Sequence, residues 1–270
     1  LHMLIQLPIV IGEGFRPKFV IDIDWQHIKQ VVKHSLPRTI TLSMSKIVFL
    51  IFVSIASALV TGSISVFTLA YNLQSVPLAI IGVSYSVAAF PVLVDYYNSN
   101  NHSKFISHVM GPIRQIVFWS LPIISLFIIL RAQIVRVILG TGNFDWADTR
   151  LTAAALALFI ISVVAQSIVL LLIRAYYATG KTWKPLWITL LSSIITVVLG
   201  YIFVTGYNSL ALVKEFFEGF LRIKGVLGSS VIMLPLAYSI GMFINLTLLW
   251  LGFKKDFKYS GNYGVTQSFV

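Results

Sequence analysis

The sequence has no cysteine among its 270 residues, and only 11% of the residues are charged. Without cysteine the chain has no disulfide framework, no thiolate nucleophile and no cysteine-ligated metal. Its five histidines are scattered along the sequence, and they form none of the spacings typical of a zinc site. We therefore expect neither a metal ion nor another cofactor.

The small share of charged residues also argues against a soluble protein, in which about 25% of residues are charged. Hydrophobic residues make up 57% of the sequence, and the mean hydropathy is +0.89. A soluble domain this apolar would need helices with polar faces, and the long apolar segments here have none. The composition is typical of an integral membrane protein.

Acidic residues are scarce, since 9 Asp and Glu stand against 20 Lys and Arg, and the net charge is +11. In a soluble protein such a charge would suggest a nucleic-acid partner. Here the basic residues lie mostly between apolar segments, which favours a role in topology and contact with anionic lipid headgroups, with no nucleic acid. One side of the predicted topology carries more than twice as many basic residues as the other. This asymmetry predicts that both chain ends are cytoplasmic.

Six segments are apolar enough to span a bilayer, which takes about 20 residues. They cover approximately residues 37–60, 64–95, 113–131, 151–177, 185–205 and 229–252. The predicted fold class is therefore all-α, a polytopic bundle of membrane helices. The second segment is too long for a perpendicular crossing, so we expect it to tilt, to kink at Pro77 or to project into the cytoplasm.

Three segments outside the six spans also carry information. The opening "LHMLIQLPIV" is typical of the end of an apolar helix, and residues 254–270 are typical of a loop before a further element. We therefore expect the chain to be an internal fragment of a longer protein. The segment "VKEFFEGFLRIK" at 213–224 predicts either a short amphipathic helix on the outer membrane surface or a plain loop.

Small and polar residues follow one face of several predicted spans. In the second span they alternate at spacings of three and four, as they would along one helix face. They are Ser65, Thr68, Asn72, Ser75, Ala79, Gly82, Ser86 and Ala89. Similar but less regular stripes run through the first span, from Thr39 to Thr61, and through the fourth, from Thr152 to Gln166. Such a stripe indicates either close packing of helices or the wall of a polar cavity.

Lys46 is the feature that close packing explains poorly. It lies roughly 13 Å along the helix from Pro37, at 1.5 Å per residue, and thus near the middle of the membrane. A lysine there costs about 2.5–3.5 kcal/mol on insertion scales, and no acidic residue lies in the interior of a predicted span. Lys46 either extends its ammonium to the membrane surface or faces a water-filled cavity, and the stripe favours the cavity. The candidate cavity residues are Lys46, Asn72, Ser43, Ser75 and Gln166.

Catalysis has little support in the sequence. The run "SMSK" at 43–46 matches the S-x-x-K pattern of penicillin-recognising enzymes, but it lies inside a span without a soluble domain around it. "GKT" at 180–182 lacks the first glycine of a phosphate-binding loop, because position 175 is alanine. An intramembrane enzyme would need converging acid and base groups, and only Lys46 is present at depth. We therefore expect a protein that is not an enzyme.

Three ordered motifs resemble the MurJ/MviN family, the lipid II flippases of the MOP exporter superfamily. They are "LAYNLQSVPLAIIGVSYSVAAFP" at 69–91, "VILGTGNFDWADTRLTAAAL" at 137–156 and "LIRAYYATGKTWKP" at 172–185. The resemblance covers most of the chain except roughly 206–230. It implies a transporter of the bacterial cytoplasmic membrane with fourteen helices, whose two six-helix lobes enclose a cationic central cavity.

The resemblance also implies where this chain belongs in such a transporter. Residues 37–253 resemble the second lobe, residues 1–36 the end of the preceding helix and a cytoplasmic linker, and residues 254–270 a tail leading to further helices. The implied partners are the first lobe of the same chain, membrane lipids, and lipid II or a similar lipid-linked pyrophosphate. The implied activity is movement of undecaprenyl-pyrophosphate-linked peptidoglycan precursor across the membrane by alternating access.

The chain departs from the family pattern at two positions. Asn72 stands where many members have an arginine, which removes one expected pyrophosphate contact. Lys46 on the neighbouring span could supply the missing charge. Phe52 aligns with an acidic residue through which some members bind sodium, so we expect no sodium site here. A related exporter of O-antigen-type lipid-linked oligosaccharide or of drugs, and a structural scaffold for cell-wall assembly, stay open as alternatives.

Overall fold

A computed structural model describes residues 8, 11, 12, 14, 25–140 and 144–257 of the chain. The chain divides into a unit of residues Leu1–Leu36 and a unit of residues Pro37–Val270. The candidate cavity residues all belong to the second unit. Most of the predicted end of a preceding helix, and the predicted tail from residue 258 onward, lie outside the described residues.

The described part of the chain is built from helices and the turns between them, with no β-strand. In chain order the α-helices are α1 (Trp25–Ser57), α2 (Ser63–Leu78), α3 (Ser84–Asn98), α4 (His102–Ile129), α5 (Arg131–Leu139), α6 (Trp146–Ala178), α7 (Trp183–Ser209), α8 (Ala211–Leu221) and α9 (Met233–Asp256). A π-helical turn (Ala79–Val83) joins α2 to α3, and a 3₁₀ turn (Ser229–Ile232) precedes α9.

Six stretches of these helices are long and apolar enough to cross a membrane. They are Val31–Ser57, Ser63–Asn98, His102–Ile129, Trp146–Ala178, Trp183–Tyr207 and Ser229–Asp256. The predicted all-α fold with six membrane-spanning helices is therefore confirmed. The helices of the third and fourth spans begin before the predicted apolar segments, because a helix can continue past the bilayer into polar sequence such as "HSKFISHV" at 102–109.

Helix α6 lies at the centre of the bundle. Of its most apolar stretch, 83% is buried, and it packs against α2, α3, α4, α5 and α9. A helix that is apolar on all sides is stable when other helices surround it. The helix begins at a capping box: Asp145 Oδ1 accepts a hydrogen bond from the Asp148 backbone N–H at 2.8 Å, and the Asp148 carboxylate accepts one from Asp145.

The long second span contains a local widening of the helix just after Pro77. Because proline has no N–H to donate, it leaves a carbonyl in the preceding turn without its usual partner. The π-helical turn Ala79–Val83 follows within two residues, and such insertions are a known cause of helix bending. Gly82 in this turn approaches α6 closely, since a Cβ there would lie 2.6 Å from Ser167 Oγ. The π turn thus brings the backbone of the second span against the central helix.

Candidate functional site: a cavity with one lysine in the helix bundle

A cavity of about 400 Å³ lies among α1, α2, α6, α7 and α9. Each of these five helices contributes hydroxyl or amide groups to its wall. They include Thr41, Ser75, Gln166, Thr189, Ser192 and Asn245. Among the described residues that line the cavity, Lys46 alone is charged. These polar groups are set in a wall that is otherwise mostly apolar, and the formal charge of the cavity is positive.

Lys46 lies in the cavity wall contributed by α1, and its side chain is exposed. Its Nζ lies 5.9 Å from the centre of the Tyr71 ring on α2. Within the described residues Lys46 forms no ion pair. A cation over an aromatic ring at an exposed site gains only about 0.5–1 kcal/mol, so the ammonium can exchange this contact for an anion. The arrangement provides positive charge without a carboxylate that competes for it.

The buried side of the cavity is organised around the amide of Gln166 on α6. Gln166 Nε2 donates to Gln74 Oε1 at 3.1 Å and to Ser162 Oγ at 2.7 Å. Gln166 Oε1 accepts from the Tyr238 hydroxyl at 3.4 Å. Gln74, Ser162 and Tyr238 are fully or almost fully buried. This network links α2, α6 and α9 at one point.

Several buried polar atoms on α2, α7 and α9 have no hydrogen-bond partner among the described residues. They are Gln74 Nε2, Thr189 Oγ1 and Asn245 Oδ1, and Thr189 and Asn245 line the cavity. Leaving such a group unbonded costs about 1–3 kcal/mol. Water or the polar groups of a ligand in the cavity would recover this energy. The wall is thus suited to a ligand with hydrogen-bonding groups.

The structure brings together three of the five candidate residues from the sequence. Lys46, Ser75 and Gln166 line the cavity. Ser43, which is half-buried on α1, and Asn72, which is exposed on α2, lie outside its wall. Their assignment to a substrate site therefore stays a prediction.

Sequence reasoning missed Thr189 and Asn245 as polar groups of the site, whereas the two amides of the second span, Asn72 and Gln74, were expected on a face that lines a cavity. Gln74 lies two residues from Asn72 and therefore on a different side of α2 from the polar stripe, yet it is completely buried. Thr189 and Asn245 belong to α7 and α9, where no regular stripe drew attention to them. A buried amide in an apolar span was the one available signal, because such a group needs a hydrogen-bond partner.

Because Gln166 makes more hydrogen bonds in this network than Gln74, replacing Gln166 should reduce the stability of the protein more. Gln166→Leu should destabilise the protein by about 1–3 kcal/mol, because it removes the partner of Gln74 Oε1, Ser162 Oγ and the Tyr238 hydroxyl together. Gln74→Leu should cost less, because Gln74 makes one bond and already leaves Nε2 unpaired. The measurement is the temperature of half-aggregation of each purified variant in detergent. A Gln166→Leu variant as stable as the wild type would show that the network does not stabilise the bundle.

Six helices able to span a membrane define an integral membrane protein, and the cavity in their bundle carries one positive charge. In the described part of the chain no three His, Asp or Glu residues are close enough to hold a metal ion. Comparison with known families then identifies the chain more closely. Residues 1–269 match the family model described as "Lipid II flippase MurJ", and the chain belongs to this family.

Curated relatives agree with the family match. The chain is 29% identical over 208 residues to the probable lipid II flippase MurJ of Thermotoga maritima, covering 74% of this chain and 43% of the relative. It is 25% identical over 256 residues to that of Vibrio cholerae, covering 93% of this chain and 44% of the relative. The chain thus spans less than half the length of these relatives.

A solved structure titled "Lipid II flippase MurJ, inward closed conformation" has the same fold. The TM-score is 0.66 with 22% sequence identity, and the match covers 94% of this chain and 50% of that one. These matches confirm the resemblance to the MurJ family that the three motifs indicated. They also confirm the expected location, that of a multi-pass protein of the bacterial cytoplasmic membrane.

Proposed function

We propose that residues 37–253 act as the second lobe of a lipid II flippase. In this proposal the whole protein moves undecaprenyl-pyrophosphate-linked peptidoglycan precursor from the inner to the outer leaflet by alternating access. The observation that carries the proposal is the ammonium of Lys46 in the wall of a cavity that also presents hydroxyl and amide groups, in a chain of the MurJ family. The first lobe, membrane lipids and lipid II are its proposed partners.

The chemistry of the cavity fits a pyrophosphate headgroup. A lysine ammonium offers three hydrogen-bond donors, and bonds between charged groups are roughly twice as strong as neutral ones. Hydroxyl and amide groups of the wall can bind the polar parts of the headgroup, while the polyprenyl tail stays in lipid. Transport of this kind exchanges two packings of the same helices and neither makes nor breaks a bond. We therefore assign no catalytic residue.

The replacement of the family arginine at Asn72 also fits this proposal. Lys46 lies over the ring of Tyr71, the residue next to Asn72, so its charge reaches the turn of α2 on which that arginine would stand. Asn72 is exposed on α2, and Ser43 lies one helical turn before Lys46 on α1. We propose that Ser43, Lys46, Asn72, Ser75 and Gln166 form this lobe's share of the substrate site.

Growth complementation tests the proposed function. Cells depleted of their own lipid II flippase should grow when supplied with the complete gene product that contains this chain. Residues 1–270 expressed alone should insert into the membrane but should not restore growth, because a cavity between two lobes needs both of them. Growth supported by the 270-residue chain alone, or absence of growth with the complete product at normal protein level, would contradict the proposal.

A second strain, which lacks its own O-antigen exporter, separates lipid II transport from export of O-antigen-type lipid-linked oligosaccharide. An exporter of lipid-linked O-antigen should restore O-antigen display in a strain that lacks its own exporter, but not growth after flippase depletion. The match to the lipid II flippase family over residues 1–269 favours lipid II as the substrate.

A further inference from the structure

Helix α8, between the fifth and sixth membrane spans, has an apolar surface that the protein covers only in part. Val213, Phe217 and Leu221 recur every four residues, face the core and contact it. Leu212, Phe216 and Phe220 each precede one of them by one residue and so lie about 100° round the helix. These three side chains are 83%, 65% and 69% exposed. The apolar surface of α8 thus consists of two adjacent rows of three residues. One row packs on the protein, and the other is exposed.

Polar contacts fix α8 in this orientation. The Arg150 guanidinium donates to the Arg222 carbonyl at the end of α8, with its Nε at 2.9 Å, and Arg131 donates to the Leu221 carbonyl at 3.4 Å. The Glu218 carboxylate accepts a hydrogen bond from Ser229 Oγ at 2.8 Å. Burial, with the nearby charge of Arg222 as a smaller cause, lowers the pKa of Arg131 from its ordinary value. The exposed apolar residues thus belong to an anchored helix.

The neighbouring spans determine what lies beside α8. The fifth span ends at Tyr207 and the sixth begins at Ser229, so α8 starts and finishes beside one and the same membrane surface. Lys214 lies on the side of α8 opposite the exposed apolar residues, Glu215 lies opposite the core-facing ones, and both are exposed. The helix therefore carries charged groups on one side and uncovered large apolar groups on another, at the level where the bilayer meets water. This distribution is the one that holds a helix in a membrane interface.

We propose that α8 is a membrane-interface helix whose Leu212, Phe216 and Phe220 insert among lipid acyl chains. Phe216 and Phe220 stack with their ring centres 6.0 Å apart, so they form one continuous apolar surface. Lys214 and Glu215 remain in water at the headgroup level. The bilayer is the proposed occupant because both ends of α8 are tied to membrane spans. This inference concerns the seating of the chain in lipid and does not depend on the proposed flippase activity.

Single-cysteine spin labelling tests this proposal, because the chain has no cysteine of its own. The five variants, Leu212→Cys, Phe216→Cys, Phe220→Cys, Lys214→Cys and Glu215→Cys, are labelled and reconstituted into phosphatidylethanolamine–phosphatidylglycerol vesicles. Collision rates are measured with oxygen, which concentrates in the bilayer, and with a water-soluble nickel chelate. All five positions are exposed, so the substitutions should leave the packed side of α8 intact.

The expected result is a clear division between the two sides of one helix. Labels at 212, 216 and 220 should meet oxygen more often than the nickel chelate, and labels at 214 and 215 should show the reverse. Nickel accessibility at 216 and 220 equal to that at 215 would overturn the proposal, since the rings would then lie in water. Labels at 216 and 220 that are immobile and reached by neither reagent would also overturn it, because protein would then cover this surface.

Discussion

Lys46→Ala in the complete gene product should abolish or sharply reduce growth of cells depleted of their own flippase, without lowering the protein level. A hydrogen bond to a charged group contributes about 1.5–3 kcal/mol, which corresponds to roughly ten- to a hundredfold in affinity. No other charged residue among the described ones lines the cavity, so no neighbour can replace the lost ammonium. Lys46→Arg keeps the charge in a different shape and should be partly tolerated.

Lys104 provides a matched control for this variant. Its Nζ lies 5.9 Å from the ring centre of Tyr96, the same separation as between Lys46 and Tyr71, but Lys104 does not line the cavity. Lys104→Ala should therefore support nearly normal growth. Adding Asn72→Arg to Lys46→Ala should restore part of the activity if the two positions serve one anion site. Normal growth of Lys46→Ala itself would show that the lysine has no part in substrate binding.

Gly241→Ala should cause a large loss of stability, because α7 and α9 have no room for a methyl group at this position. A Cβ on Gly241 would lie 2.7 Å from both Cβ and Cγ2 of Thr196. Rotating the threonine cannot relieve a clash with its own Cβ, and its hydroxyl is bonded to the Ser192 carbonyl at 2.7 Å. Overpacking of this kind typically costs 1–3 kcal/mol. The measurement is the half-aggregation temperature in detergent.

Two further variants make the Gly241 experiment decisive. Gly206→Ala on α7 meets nothing within 4 Å and should be neutral or slightly stabilising, since alanine favours a helix over glycine. Thr196→Gly removes the atoms that clash, so in the Gly241→Ala background it should recover part of the lost stability. If Gly241→Ala behaves like Gly206→Ala, then α7 and α9 do not pack as closely as described.

The sequence predicted the membrane spans well because a bilayer imposes a strong and local requirement on composition. It predicted Lys46, Ser75 and Gln166 in one cavity because each belongs to a stripe of small and polar residues on an otherwise apolar helix. The periodicity of one helix, however, does not show whether each residue of a stripe faces another helix, the cavity or the surface. The stripe of the second span divides in the structure: Gly82 and Ser86 are buried, while Asn72 is exposed.

Short elements were harder to predict for a physical reason. The segment that contains α8 mixes charges with phenylalanines, and its sequence is compatible with a helix or a loop until its surroundings are known. The Arg150 contact with the Arg222 carbonyl joins residues 72 positions apart, and no local pattern reveals such a contact. The same holds for the hydrogen bond between Gln166 and Gln74, which fixes the buried side of the cavity.

Lipid II movement in vesicles tests the central claim most directly. The complete gene product is purified, reconstituted into liposomes with a fluorescent lipid II, and the fraction of label reached by a membrane-impermeant quencher is followed over time. We expect wild-type protein to move lipid II between the leaflets, Lys104→Ala to move it at a similar rate, and Lys46→Ala to approach the rate of protein-free vesicles. Equal rates for Lys46→Ala and wild type, or no movement with wild type, would contradict the account.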